Sequence, residues 1–219
     1  MNQPLRTNVI IPCGFYNEFM DKLLSLISTA HVVQAVIIGA VLAFLTAIII
    51  INIKIKAIQT TVNGWSTSLI CGRPDNGILA RAASSKFLPL VNIAEEAMYW
   101  TTTRDHTKKP LSGRHKYVLH FPAGRLPPND AFWSLTITDT QGYMVGNSVD
   151  RHSLGDRSGL VENSDRSIDL YIQRASPPQG ETNWLPALAG NFKLMLRVYL
   201  PGQAALEGKY QVPPVMRVQ

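Results

Sequence analysis

From Ala35 to Ile51 the chain reads Ala-Val-Ile-Ile-Gly-Ala-Val-Leu-Ala-Phe-Leu-Thr-Ala-Ile-Ile-Ile-Ile, without a charge. Extending the run to Val32 and Ile53 adds only Gln34 and Asn52 as strongly polar positions. At about 1.5 Å per residue, a helix over this stretch covers the roughly 30 Å hydrocarbon core of a bilayer. A lone segment in hydrocarbon must satisfy its own backbone, so helix is the conformation it can take there. A core helix of a soluble protein is apolar along one stripe, not all round. A cleaved signal peptide carries a short basic leader and a small-residue cleavage site. Here about 30 residues precede the run, and Ile51-Asn52-Ile53-Lys54-Ile55-Lys56 closes it. The sequence therefore predicts an uncleaved, single-pass transmembrane helix over residues 32–53, with the lipid bilayer as its partner.

That anchor divides the chain. Residues 1–31 form an amphipathic N-terminal segment: Phe15, Phe19, Leu23 and Ile27 fall on one helical stripe, with Met20 and Leu24 beside it. Such a segment can lie at the lipid interface, pack on a partner subunit or extend the anchor helix. Cys13 and Cys71 stand on opposite sides of the anchor, so they face different compartments and form no disulfide framework. Counting nearby basic residues gives Lys22 before the anchor and Lys54 with Lys56 after it, which points the main domain to the cytoplasm.

Residues 54–91 read as a connector with some helix. Asn63-Gly64 and Pro74-Asp75-Asn76-Gly77 are turn signals, and a helix is predicted from Leu79 to Leu90, ended by Pro89. Asn92 is predicted to cap a short helix with Ile93, Ala97 and Trp100 on one face and Glu95-Glu96 in its first turn.

From Lys116 the hydrophobic period changes to two. Tyr117, Leu119 and Phe121 alternate with Val118 and His120, and Trp133, Leu135 and Ile137 share one face of a run from Phe132 to Thr138. Ile168, Leu170 and Ile172 do the same within 167–173, as do Phe192, Leu194, Leu196, Val198 and Leu200 within 192–200. Alternation of this kind marks half-buried strands whose register is well specified. A single helical turn fits between Gln203 and Gly208, and a last edge strand between Val212 and Val218. The fold class expected is mainly β: an antiparallel β-sandwich over 92–219 with short helices, preceded by the transmembrane helix.

The net charge of +6 comes from basic residues scattered among acids, with no run longer than Lys108-Lys109. That pattern is an ordinary mixed surface, and no nucleic acid is expected as a partner. The chain contains no Gly-x-Ser-x-Gly elbow, His-Glu-x-x-His, P-loop or dinucleotide fingerprint. Its five histidines lack metal-ligand spacing, so neither a metal nor a cofactor is expected. Ser153, His152 and Asp156 could be written as a triad, but neighbours along a strand point to opposite faces.

One constellation stands out. Arg151, Asp156 and Arg157 cluster in an irregular stretch, Trp184 lies in a second, and Trp133 begins a strand. Arginine and tryptophan at one end of a sandwich can bind an anionic or sugar-like ligand by forked hydrogen bonds and ring stacking. Against this stands the plainer reading, which the residue types favour: the arginines brace loops and both tryptophans are core.

Six blocks carry a family resemblance: Lys116 to Pro122, Leu126-Pro127-Pro128, Ala131 to Thr136, Arg151 to Arg157, Asn183 to Pro186, and Leu196 to Tyr199. In this order they resemble the domain of unknown function numbered 1214, over about Trp65 to Val218. The resemblance implies a jelly-roll-like β fold. It implies too that the companion domain numbered 1254, often found ahead of this one, is replaced here by the anchor. Members are commonly exported, so the resemblance turns the expected location of the main domain to the periplasmic or extracellular side of the cell envelope. It brings no catalytic residues.

The function expected is a membrane-anchored, non-catalytic β-sandwich that binds a partner protein or small ligand, as a homo-oligomer or an accessory subunit of a membrane complex. The alternative is an exported hydrolase or carbohydrate-active enzyme using Arg151, Arg157 and an acid such as Asp139 or Asp156.

Overall fold

The computed structural model describes residues 13–25, 29–88, 91–147 and 149–218. The chain forms two compact units, Met1–Ile50 and Ile51–Gln219.

In the first unit, helix α1 covers Cys13–Ser25. Phe19 of the apolar stripe and Leu24 beside it are exposed, while Ile27 lies outside the described residues. Helix α2 runs Thr29–Ile58, across the boundary into the second unit, and none of its residues is buried. It is long and apolar enough to cross a membrane.

The second unit is mainly β. Strands β1 (Thr60–Val62) and β2 (Trp65–Thr67) form a hairpin, and helix α3 (Ile78–Phe87) follows. The hairpin turns on Asn63 and Gly64, both with positive φ (54° and 83°), the backbone that an Asn-Gly pair adopts most readily. The segment read as a connector thus supplies two strands of a sheet as well as a helix. Pro89 and Leu90, the expected end of α3, lie outside the described residues.

Next come β3 (Ala97–Thr102), β4 (Lys116–Phe121), β5 (Asn129–Asp139), β6 (Ser153–Gly155), β7 (Ile168–Gln173), β8 (Trp184–Pro186) and β9 (Phe192–Pro201). A one-turn helix α4 (Gln203–Leu206) and strand β10 (Val215–Val218) complete the chain. Six strands pair in the order β1-β2-β3-β9-β5-β6, and four in the order β10-β4-β7-β8. The pairings are antiparallel except β7 with β8, which is parallel and departs from the all-antiparallel expectation.

The expected helix after Asn92 is corrected to a strand. Ile93 and Glu96 form a turn, and Ala97–Thr102 enters the six-stranded sheet beside β9. Every residue of β3 is buried. Met98 and Trp100 face the main core, and Ala97 and Tyr99 face a second cluster with Leu88. A strand covered on both sides loses its alternation, and its short apolar run then resembles a helix.

Register explains the core. Val198 lies between Met98 and Trp133, and Leu196 between Trp100 and Leu135, making apolar rows across β3, β9 and β5. In the smaller sheet Tyr117 pairs with Ile172, Leu119 with Leu170, and Phe121 with Ile168. The two sets of rows join one hydrophobic cluster. Phe121 meets Trp133 with ring centroids 5.5 Å apart, and Tyr117 meets Phe192 edge-on at 5.9 Å. Each fully buried leucine or aromatic of this kind contributes about 1.5–3 kcal/mol.

Candidate functional site

The residues singled out from the sequence are engaged by the chain itself. Arg151 Nη1 donates to the carbonyls of Glu181 (2.8 Å) and Trp184 (3.0 Å), which holds the short turn before β8 against the β5–β6 loop. Trp184 is buried, and its indole N–H donates to the Gln173 carbonyl at 2.8 Å. Trp133 is a core residue of β5. The Asp156 carboxylate accepts the Trp133 backbone N–H at 3.3 Å from both oxygens. The Arg157 guanidinium lies 4.5 Å over the Phe132 ring and donates to the Ala131 carbonyl at 3.3 Å. Phe132 stacks in turn on Tyr199 at 4.3 Å. These bonds are the bracing roles of the plainer reading.

His152 faces Asp150 (3.1 Å) and Asn147 (3.4 Å), so Asp156 does not orient it toward Ser153. Asp139 is likewise a loop brace. Its Oδ1 accepts the N–H groups of Gln141, Gly142 and Tyr143 at 2.8–2.9 Å. The Tyr143 N–H does most to hold this carboxyl below the usual range. Among the described residues no group of His, Cys, Asp and Glu side chains could hold a metal ion.

A different part of the domain offers a groove. An open cavity of about 920 Å³ runs along β1, β2 and β3 and the loop after β3. Thr61, Ser66, Thr101, Thr103 and Asn63 give it hydroxyl and amide groups, and Asp105 lies at its side. These side chains share it because β2 pairs with β3 through Ser66 and Thr101, and Thr61 pairs with Ser66 across the hairpin.

Asp105 is only 2% exposed. Its Oδ1 accepts the Thr107 hydroxyl (2.6 Å), the Thr107 N–H (2.8 Å) and the Lys109 N–H (3.1 Å). Burial pushes its carboxyl up, but these bonds outweigh burial, and the net effect holds it below the ordinary value. The group is therefore an anion at neutral pH. Its Oδ2 is buried and has no hydrogen-bond donor among the described residues, and a buried carboxylate oxygen left in that condition is costly. The sequence carried one signal for the local geometry, since Asp two positions before Thr favours a side-chain-to-backbone turn. It carried none for the groove, whose walls come from three strands and a loop.

Residues 96–203 match the family described as a protein of unknown function (DUF1214). No curated protein matches the chain significantly. Among solved structures, the VPA0106 protein from Vibrio parahaemolyticus is similar at 28% identity and a TM-score of 0.57. That likeness covers 66% of this chain but 36% of the other, so the chain spans about a third of that protein's length. An uncharacterized protein from Burkholderia cenocepacia aligns at 17% identity over 56% of this chain and 29% of its own, with a TM-score of 0.34, too distant to bear on the fold. All six sequence blocks, from Lys116 to Tyr199, lie inside the span, residues 96–203, over which the chain is similar to the DUF1214 family.

Proposed function

We propose that this protein is a membrane-anchored, non-catalytic module whose two-layered, jelly-roll-like sandwich binds a small polar ligand or the polar group of a partner protein. The observation that carries the reading is the open groove beside Asp105, lined by the side chains of Thr61, Asn63, Ser66, Thr101 and Thr103. A ligand bringing an amide or a hydroxyl would hydrogen-bond these groups, and Arg104 and Lys108 in the same lining favour a neutral or acidic group over an ammonium. The candidate catalytic groups, by contrast, are engaged in holding loops.

Anchoring rests on α2. Val36, Ile37, Leu42, Phe44 and Ile49 are all exposed on a helix with no buried residue, and lipid is the solvent that suits such a surface. The reading places the β unit on the exported side of the membrane.

The test is native mass spectrometry on the full chain, extracted in mild detergent from its own membranes. A co-purifying small molecule or partner, lost in Ser66→Ala, is the expected result. A bare monomer from both proteins would count against ligand binding. Release of the intact chain from membranes by alkaline carbonate would overturn the anchor, and an inactive alkaline phosphatase fused to the carboxyl end would overturn the exported orientation.

A further inference from the structure

Two adjoining grooves at the β10 edge, of about 470 and 610 Å³, share Lys109, Arg114, His115 and Arg217 as lining. Lys116, His106, Thr107 and Val218 complete the first. Among the described residues neither groove is lined by an aspartate or glutamate. Among the described residues the ion pairs are Arg73–Glu95, His120–Asp169, His152–Asp150 and Lys209–Glu207, so none of these acids neutralises Lys109, Arg114, Lys116 or Arg217. Asp105 is the acid in the adjoining loop, and it is buried with its Oδ1 bound within that loop.

The cations come from distant parts of the chain and are held in place. The His106 N–H donates to the Val215 carbonyl (2.9 Å), and the Arg217 N–H donates to His106 Nδ1 (3.2 Å), which stitches the loop after β3 to β10. Tyr117, fully buried, accepts the Ser112 N–H on its hydroxyl at 3.0 Å and meets the His115 ring edge-on at 6.4 Å. His115 in turn receives Arg217 Nη2 at 2.6 Å. Arg114 and Lys116 flank His115 and are exposed, as is Lys109.

We infer that these grooves are a binding site for a multiply charged phosphate compound. Four cations without acidic partners raise the local potential, and a forked guanidinium matches a phosphate face. Because their backbones are already fixed to one another, little ordering is required on binding. Two adjoining grooves suit a ligand with more than one phosphate group. The site shares only His106 with the groove beside Asp105, so it stands or falls independently of the function proposed above.

The experiment uses the full chain in phosphatidylcholine nanodiscs, titrated calorimetrically with inorganic tripolyphosphate at low and moderate salt. Saturable binding that weakens with salt is expected, because exposed charges are screened. Arg114→Gln and Arg217→Gln should each weaken it about tenfold, or about 1.4 kcal/mol. Arg125→Gln, an exposed arginine elsewhere, should leave it unchanged. If Arg217→Gln fails to fold, Lys109→Gln and Lys116→Gln on the rim give the same reading. Discs containing phosphatidic acid identify the source: loss of tripolyphosphate binding there assigns a lipid headgroup, and undiminished binding assigns a soluble phosphate. No binding by the parent chain, or equal loss in Arg125→Gln, would overturn the site. So would tight binding of a single-stranded oligonucleotide where tripolyphosphate does not bind.

Discussion

Trp65 donates its indole N–H to the carbonyl of Pro213 at 2.8 Å, joining the first hairpin to the segment that leads into the last strand. Asn63 reaches the same segment, donating to the Val212 carbonyl at 3.0 Å. Trp65→Phe should keep most of the apolar contact and lose this bond, lowering stability by about 1–2 kcal/mol. Urea unfolding of the full chain in detergent would measure it, and an unchanged midpoint would show that the bond contributes nothing.

A buried asparagine makes a stronger case. Asn183 exchanges bonds with the Val161 N–H and carbonyl (2.9 and 2.8 Å) and donates to the Asp169 carbonyl at 3.0 Å. Asn183→Leu removes three bonds and leaves buried partners unsatisfied, so a loss of about 2–4 kcal/mol is expected. Hydrogen exchange at Val161 should rise in the same variant. A loss below 1 kcal/mol, the order of one net bond, is incompatible with this role.

The two bracing arginines should differ. Arg151→Gln loses two bonds from a charged donor to carbonyls and should cost about 1.5–3 kcal/mol. Arg157→Gln loses an exposed cation–ring contact and should cost about 0.5–1 kcal/mol. A reversed order in thermal unfolding would contradict the contacts described.

The folded Asp105 carboxyl titrates below its ordinary value, so its contribution to stability is present above the unfolded value of about 3.9 and is lost as pH falls through the folded one. Asp105→Asn should therefore be less stable than the parent at pH 7, with the gap narrowing below about pH 4. Parallel denaturation curves across pH would check this; a gap that stays constant into acid would refute it.

Gly155 tests close strand approach. Its φ of −168° suits any residue, but a side-chain carbon there would run into the Trp133 carbonyl. Gly155→Ala should push β6 from β5 and cost about 1–3 kcal/mol. Retained stability, with amide exchange along Ser153–Gly155 unaltered, would rule the clash out.

Four strands could be read from the sequence because apolar and more polar residues alternate along them, although β5 is buried on both faces from Leu135 to Thr138. β4, β5, β7 and β9 lie close to where alternation places them. β3 escaped because it is covered on both sides, and β1, β2, β6 and β8 because three residues hold too little pattern. The arginine and tryptophan cluster drew notice for its residue types, yet those same properties make such side chains good braces. The basic grooves could not be seen at all. Lys109 occurs only in a pair with Lys108, Arg114 and Lys116 stand singly on either side of His115, and Arg217 arrives from the far end of the chain.

Strand β9 occupies the middle of the six-stranded sheet, between β3 and β5. On the ribosome, both neighbours emerge well before residues 192–201, and until then each presents a bare hydrogen-bonding edge on its β9 side. Long-range pairing of this kind is slow, and such edges invite association with other chains. A nascent chain halted before Phe192 would therefore carry most of its apolar strand residues without the element that unites them, and would depend on chaperones to stay dispersed.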